Sequence, residues 1–166
     1  IINGVEVTFD KYRFDKDSVK QSLLNFAFYN RRPITKSMLA WWAFTNEQQA
    51  YLSLEQPFEI EHIYARNRQD VDGGLNDKRN IERLGNKSLL EKSVNIRVSD
   101  FRFEDKVKKY KGYMNDKGKH IDGTKIQDLL TIDTKYHDFN ETDIETRNGL
   151  IINTFMDYLD SENLFM

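Results

Sequence analysis

Apolar Val19, Leu23, Phe26 and Ala27 recur at i, i+4, i+7 and i+8, which is one face of a 3.6-residue period and predicts a helix. Asp17-Ser18 can cap it, and Arg31-Arg32-Pro33 would end it, because the residue before a proline is pushed out of helical backbone. Thr35 can cap a second helix through Met38, Leu39, Trp41 and Trp42. Thr45 with Gln48 has the spacing of a capping box for a third, through Tyr51 and Leu54. The Trp pair could serve as a base-stacking platform, but aromatics inside an amphipathic helix are far more often packing, and we read them as core.

The period changes after Pro57. Phe58-Glu59-Ile60-Glu61-His62-Ile63 alternates apolar and polar positions, the pattern of a half-buried strand with Phe58, Ile60 and His62 on one face. Residues 66–80 are polar and hold the turn signal Asp72-Gly73-Gly74, so they predict a long connecting loop. Leu84-Gly85-Asn86-Lys87-Ser88-Leu89-Leu90 is a second extended segment, and Ser93 or Asp100 can start helices ending near Tyr110. Residues 111–124, rich in Lys, Gly, Asp and Asn, predict a surface loop, followed by a short helix at Ile126–Leu130. Thr142 with Glu145 makes another capping box, and Ile144, Ile151, Phe155 and Leu159 then follow at helical spacing. The expected fold is α+β and mainly helical. A helical scaffold spans 1–56, a strand-loop-strand-helix core 57–112, and a loop with closing helices 113–166.

Composition narrows the setting. With 166 residues, 39% hydrophobic and 13% aromatic, the chain can bury one ordinary core. It has no Cys, which excludes disulfides and thiolate zinc sites and makes a reducing, cytoplasmic location the expectation. No apolar run nears the roughly 20 residues of a membrane span, and Ile1-Ile2-Asn3-Gly4 lacks the basic-then-apolar pattern of a signal peptide. A soluble protein without membrane partners is expected. The first residue is not Met, which suggests a piece of a longer polypeptide. The net charge of −2 hides a segregated distribution. Residues 1–77 carry 9 Lys/Arg against 11 Asp/Glu, residues 78–119 carry 13 against 6, and residues 120–166 carry 3 against 10. The basic middle is either a solvated helix face or a track for phosphates.

Hydrolysing a phosphodiester requires a base to activate water, a cation to neutralise the phosphate and the leaving 3′ oxygen, and a scaffold that fixes both. His62, mostly neutral near pH 7 and at a strand end, can be the base. Glu61 and Asn95 offer hard oxygen ligands suited to Mg²⁺ or Mn²⁺. Neighbours on a strand point to opposite faces, so Glu61 and His62 can both serve only if the strand ends or bulges there. Each residue alone is weak: an isolated Glu-His pair is usually an exposed carboxylate beside a half-buried imidazole. Their order is more specific. Glu61-His62 closes a strand, Asn86 opens Asn-Lys-Ser-Leu-Leu, and Asn95 follows nine residues later where a helix can begin. His120 and His137 lie in polar surroundings without ligand spacing and are discounted as metal ligands.

This layout resembles the HNH, or ββα-metal, nucleases, and more narrowly the HNH domain at the C-terminal end of GmrSD-like, modification-dependent restriction enzymes. The matching residues are Ile60-Glu61-His62-Ile63, Arg83-Leu84-Gly85-Asn86-Lys87-Ser88-Leu89-Leu90, Asn95, Phe103-Glu104-Asp105-Lys106 with Tyr110, and Ile144-Glu145-Thr146-Arg147-Asn148-Gly149-Leu150. The resemblance runs from about residue 58 to 160. It implies a ββα-metal core, with His62 as general base, Glu61 and Asn95 as ligands for Mg²⁺ or Mn²⁺, Asn86 tying the ββ loop together, and Lys106 contacting phosphate. Lys87, Arg97, Arg102, Lys108 and Lys109 flank that site and are candidates to contact DNA phosphates. Two departures stand out: Tyr64-Ala65-Arg66 replaces the proline that commonly follows the His-Ile pair, and Lys87 replaces the usual apolar residue after Leu-Gly-Asn. The expected partners are DNA and a ParB-like nucleotide-hydrolysing sensor domain. The chain shows no P-loop, so that sensor would lie elsewhere. The main competing reading is a catalytically inactive DNA-binding or partner-binding module. A helical scaffold or toxin-like interaction domain is a third, and it leaves the basic segment and the strand-end His without a role.

Overall fold

Asp15 caps the first described helix: its carboxylate accepts from the Ser18 N–H at 2.7 Å, and α1 runs Lys16–Asn25. The computed structural model describes residues 15–53, 55–71, 73–162 and 164. Ile1-Ile2-Asn3-Gly4, Leu54 of the expected third helix and Asp72 of the expected turn lie outside the described residues. The cap is thus two residues before the expected Asp17-Ser18. α1 also stops earlier than Arg31-Arg32-Pro33, because the backbone is already extended at Phe26. Pro33 instead begins α2 (Pro33–Phe44), where its missing N–H leaves no intrahelical bond unmade. Thr35 lies buried in the first turn of α2 and donates to the Tyr29 carbonyl at 2.9 Å.

The third helix expected from Thr45 and Gln48 is absent. The Thr45 hydroxyl closes α2 by donating to the Trp42 carbonyl at 2.7 Å, and the Gln48 N–H donates to Asn46 Oδ1 in a local turn. Tyr51 stands 83% exposed and, among the described residues beside it, only Leu52 reaches the core, too little apolar contact to hold a helix there. Trp41 packs edge-on against Phe155 and beside Tyr158 of α6 (Glu141–Ser161), with ring centroids at 5.0 and 5.8 Å.

β1 (Phe58–His62) pairs antiparallel with β2 (Lys87–Glu91), Ile60 opposite Leu89 and His62 opposite Lys87. α3 (Lys92–Val98) follows β2 directly. Every residue of β2 is buried, beneath α2 and α3. The expected strand over 84–90 starts late, because Leu84–Asn86 forms a 3₁₀ turn instead. The cause lies on α6. Arg147 Nη1 donates to the carbonyls of Leu84 (3.1 Å), Gly85 (2.7 Å) and Lys87 (2.9 Å), drawing them to one point, which an extended strand cannot do.

The 66–80 connection is less plain than its composition suggests. It holds 3₁₀ turns at Arg66–Asp70 and Lys78–Glu82, and the Glu141 carboxylate accepts from the N–H groups of Asn76 and Asp77 and from Asn80 Nδ2. Ser99, at φ 42°, turns the chain from α3 into α4 (Phe103–Lys111). Residues expected as a surface loop contain a hairpin, β3 (Tyr113–Met114) with β4 (His120–Ile121), whose tip uses Gly118 at φ 69°. After α5 (Gln127–Leu130), α6 is capped by Asn140 with Asp143, each side chain accepting the other's backbone N–H, and not by Thr142 with Glu145. The architecture is α+β, helices around two small two-stranded sheets. Among the described residues no helix is long and apolar enough to cross a membrane.

Gly85 sits where the 3₁₀ turn meets α6, and a methyl group there would collide with the Ile144 carbonyl and lie 2.6 Å from the Asn148 backbone nitrogen. Both obstacles are helix backbone and cannot step aside. Gly85→Ala should destabilise the fold by about 3 kcal/mol or more, at the upper end for overpacking, read as a lowered urea midpoint with unchanged slope.

Candidate active site

Asn86 leaves the 3₁₀ turn fully buried, and all of its amide is used. Its Oδ1 accepts from the Tyr64 N–H at 2.7 Å, while Nδ2 donates to the carbonyls of Tyr64 and Ile81, each at 3.1 Å. Its own carbonyl accepts from the Ile63 N–H at 2.9 Å. One side chain therefore ties the exit of β1 to the entry of β2, fixing where β1 ends.

β1 ends at His62, and the residues before it alternate. Glu61 points toward α4, where its Oε1 accepts from Lys106 Nζ at 2.6 Å and Tyr110 OH at 2.7 Å. Lys106 Nζ also donates to the His62 carbonyl at 2.6 Å. Burial pushes the Glu61 carboxyl up and the Lys106 ammonium down, each resisted by the other's charge. His62 turns the other way, toward Glu82. Its Nε2 is buried without a hydrogen-bond partner, 3.8 Å from Glu82 Oε2. Desolvation lowers the imidazole pKa to about 4, so the ring is neutral at pH 7. Because the strand stops there, Glu61 and His62 nevertheless border one open cleft of about 230 Å³, together with Ala65, Arg66, Asn67, Asn95, Ser99 and Asp100. Asn95 comes from α3 and donates Nδ2 to Glu59 at 2.8 Å, leaving Oδ1 as the amide atom that can accept a ligand.

The sequence matches the family described as GmrSD restriction endonucleases, C-terminal domain, over residues 14–154. The chain belongs to this family. Searches of curated proteins and of solved structures each gave no match.

Glu61, His62 and Asn95 thus border one cleft, with Asn86 buried behind it, but three of the expected cation positions do not reach the surface as free charges. Lys87 is fully buried, its ammonium on Glu82 Oε2 (2.6 Å) and Asn30 Oδ1 (2.7 Å), and has no access to a DNA phosphate. Lys106 is equally buried behind Glu61, so it holds that carboxylate and the His62 carbonyl instead of touching phosphate. Arg97 is half-buried and donates to the Asp122 carbonyl at 2.7 Å. Arg102 is exposed at the start of α4. Lys108 is exposed and paired with Glu104 and Asp105, and Lys109 lies over the Phe101 and Tyr113 rings. His120 and His137 are exposed and away from the cleft.

Among the described residues no three His, Asp or Glu side chains converge as a ready metal cage. What the cleft offers is a sparse set of hard oxygens: Asn95 Oδ1 and the Glu61 carboxylate, with Asp100 and Asn67 on the rim. That chemistry fits Mg²⁺ or Mn²⁺, which keep several waters when few protein groups bind them.

Two carboxylates beside these residues were not among the expected positions. Glu82 holds Lys87 and faces His62, and Glu59 orients Asn95. A signal for Glu82 existed: Lys87 leads into Ser88-Leu89-Leu90 of a strand, and a lysine there needs a carboxylate partner if it is buried.

The lowered His62 pKa has a consequence for stability. An unfolded imidazole binds its proton near 6.5 and the folded one only near 4, so between those pH values the unfolded state holds more protons and folding weakens as pH falls. The contribution is complete above 6.5. Wild type should lose roughly 3 kcal/mol between pH 7 and pH 4 from this group, and His62→Gln should lack that part of the slope in urea titrations across the range. Glu82, which its Lys87 and His62 contacts hold down at about 2 against the effect of burial, gives a separate loss only below about 4.5.

Proposed function

We propose that this domain is an HNH-type, metal-dependent DNA endonuclease, the nuclease part of a bacterial restriction or phage-defence system that acts on modified or foreign DNA. The observation that carries the proposal is the pairing of His62, at the end of β1, with Asn95, on the helix that follows β2, across one cleft whose mouth Asn86 pins. The order of strand, strand and helix supports the ββα-metal reading.

His62 acts as general base. Its Nε2 is sealed against Glu82, so Nδ1 is the nitrogen left to take a proton from water as that oxygen bonds to phosphorus and the P–O3′ bond breaks. Asn86 keeps the ring at the strand end by holding the main chain of Ile63 and Tyr64. Glu61 and Asn95 present oxygens to the cation, and Lys106 with Tyr110 keeps Glu61 in one orientation. A bound Mg²⁺ or Mn²⁺ would supply charge neutralisation at the phosphate and the departing oxygen. Arg102 and Lys108, which stand exposed, and the half-buried Lys109 form the phosphate track. Recognition of modified DNA belongs to a ParB-like nucleotide-hydrolysing domain elsewhere in the full protein or in a partner.

One observation favours a second reading, an inactive platform that binds DNA or a partner: the Lys106 ammonium already compensates Glu61 without a metal. Plasmid nicking with Mg²⁺ or Mn²⁺, and with EDTA, separates the two. The nuclease reading expects relaxed or linear product that EDTA abolishes, at least a 100-fold loss in His62→Ala, and a metal titration shifted to higher concentration in Asn95→Ala. An EDTA-insensitive preparation, or a His62→Ala protein that nicks at the wild-type rate, would sink it.

The phosphate track has its own test. Each phosphate contact steepens the log–log dependence of affinity on salt by about 0.9. Neutralising Lys108 and Lys109 together should flatten that slope and weaken all duplex sequences alike, because phosphate contacts carry no base information. A loss confined to one sequence would make these residues base readers.

A further inference from the structure

The His62 ring rests against an ion-pair cluster that nuclease chemistry has not yet used. Glu82, 14% exposed at its side chain, accepts from Lys87 Nζ on Oε2 at 2.6 Å and from Arg66 on Oε1. Lys87 is completely buried and spends a second hydrogen bond on Asn30 Oδ1. Such a pair is costly to bury: both charges lose their hydration, and replacing a buried pair with apolar side chains is often neutral or stabilising. Stability alone therefore does not account for a fully buried lysine at this position. What the cluster does achieve is to hold one carboxylate oxygen in place, Glu82 Oε2, 3.8 Å from His62 Nε2.

That nitrogen is a second unexplained feature. It is buried and has no hydrogen-bond partner, which is uncommon for a polar atom in a native interior. A neutral imidazole carries its proton on one nitrogen or the other, and the choice follows the field around the ring. A carboxylate facing Nε2 favours N–H there. The lone pair is then on Nδ1, the nitrogen that can face the cleft. With the opposite tautomer, the lone pair would point at a carboxylate, and the N–H would occupy the position where a proton must be accepted.

We propose that Glu82, held by Lys87 and Arg66, is a positioning residue that keeps the His62 proton on Nε2 and so presents the Nδ1 lone pair to the cleft. The proposal rests on the reading of His62 as general base. When Nδ1 takes a proton from water, the ring becomes an imidazolium and Glu82 supplies the compensating negative charge without itself accepting the proton. Lys87, the departure from the family's apolar residue, then makes sense as the partner that a buried Glu82 requires.

The test joins ring ¹⁵N spectroscopy at His62 near pH 7.5 to steady-state nicking kinetics. Two variants are compared with wild type: Glu82→Gln, which keeps shape, and the double variant Glu82→Leu/Lys87→Leu, which removes both charges and leaves neither buried alone. Wild type should show the Nε2–H pattern. Both variants should lose it in part or whole, and kcat should fall about 10- to 100-fold, the usual range for a residue that orients a site group through another, with KM within about 3-fold. A dispersed amide spectrum confirms that each variant is folded. If wild type cuts DNA and both variants cut within 2-fold of it, the inference is wrong while the nuclease reading stands. A fall in rate with the tautomer unchanged also overturns it. If wild type does not cut at all, the nuclease reading fails, and the ring spectra alone decide: an Nδ1–H pattern, or no change on removing Glu82, refutes the positioning role.

Discussion

The Arg147 guanidinium stands at the joint on which the rest of the molecule depends. A single nitrogen gathers three backbone carbonyls from Leu84, Gly85 and Lys87, and the other end of the group pairs with Asp128 of α5. Three carbonyls converging on one donor cannot belong to a regular strand, so the chain bends into a 3₁₀ turn, and Asn86 is delivered to the loop it ties. Asn148 assists from the next position on α6, accepting the Gly85 N–H at 3.2 Å. Only a glycine lets the turn approach the helix this closely. The long C-terminal helix therefore does more than cover the core: it fixes the entry to β2, 63 residues away along the chain, and through it the geometry of the cleft.

Charge is buried around that joint to an extent that stability would not select. Glu61 with Lys106, Glu82 with Lys87, and Arg147 with Asp128 are three ion pairs in which at least one partner is almost completely shielded. Each resists removal of one member, because the survivor would be left uncompensated in low dielectric, yet each contributes little net free energy. Their common property is directional. Every one fixes an oxygen or a main-chain segment beside a candidate site residue: the Glu61 carboxylate and His62 carbonyl, the Glu82 carboxylate facing His62, the carbonyls before and after Asn86. Pre-organisation of this kind costs folding free energy and is repaid where reacting groups must be held within a fraction of an ångström.

The same features explain why parts of the molecule resisted sequence reading. Capping and breaking signals were ambiguous wherever two polar residues could do one job. Asp15 and Asn140 took the caps that Asp17-Ser18 and Thr142 could have taken, and Pro33 began a helix where it was expected to end one. The box at Thr45 and Gln48 produced no helix, since a cap satisfies only a few N–H groups and cannot replace an apolar face with something to pack against. The hairpin at 113–121 was hidden because its strands are two residues long, too short for alternation to register.

Periodicity alone determined the helical face of α6, the strand at Phe58–His62 and the order in which strand, loop, strand and helix follow, because these depend on which side of a local element is apolar. The residue types at Glu61-His62, Asn86 and Asn95 also marked one region for attention from the sequence. Whether those side chains share a cleft was a tertiary matter. So was the fate of the basic residues: Lys87 and Lys106 read as surface charges in a segment with 13 cations, and only the packing of β2 and α4 shows them inside. Lys106 is compensated by a partner distant in sequence, Glu61 45 residues away, while Lys87 combines the nearby Glu82 with Asn30 57 residues away, and no local pattern shows that either ammonium is inside.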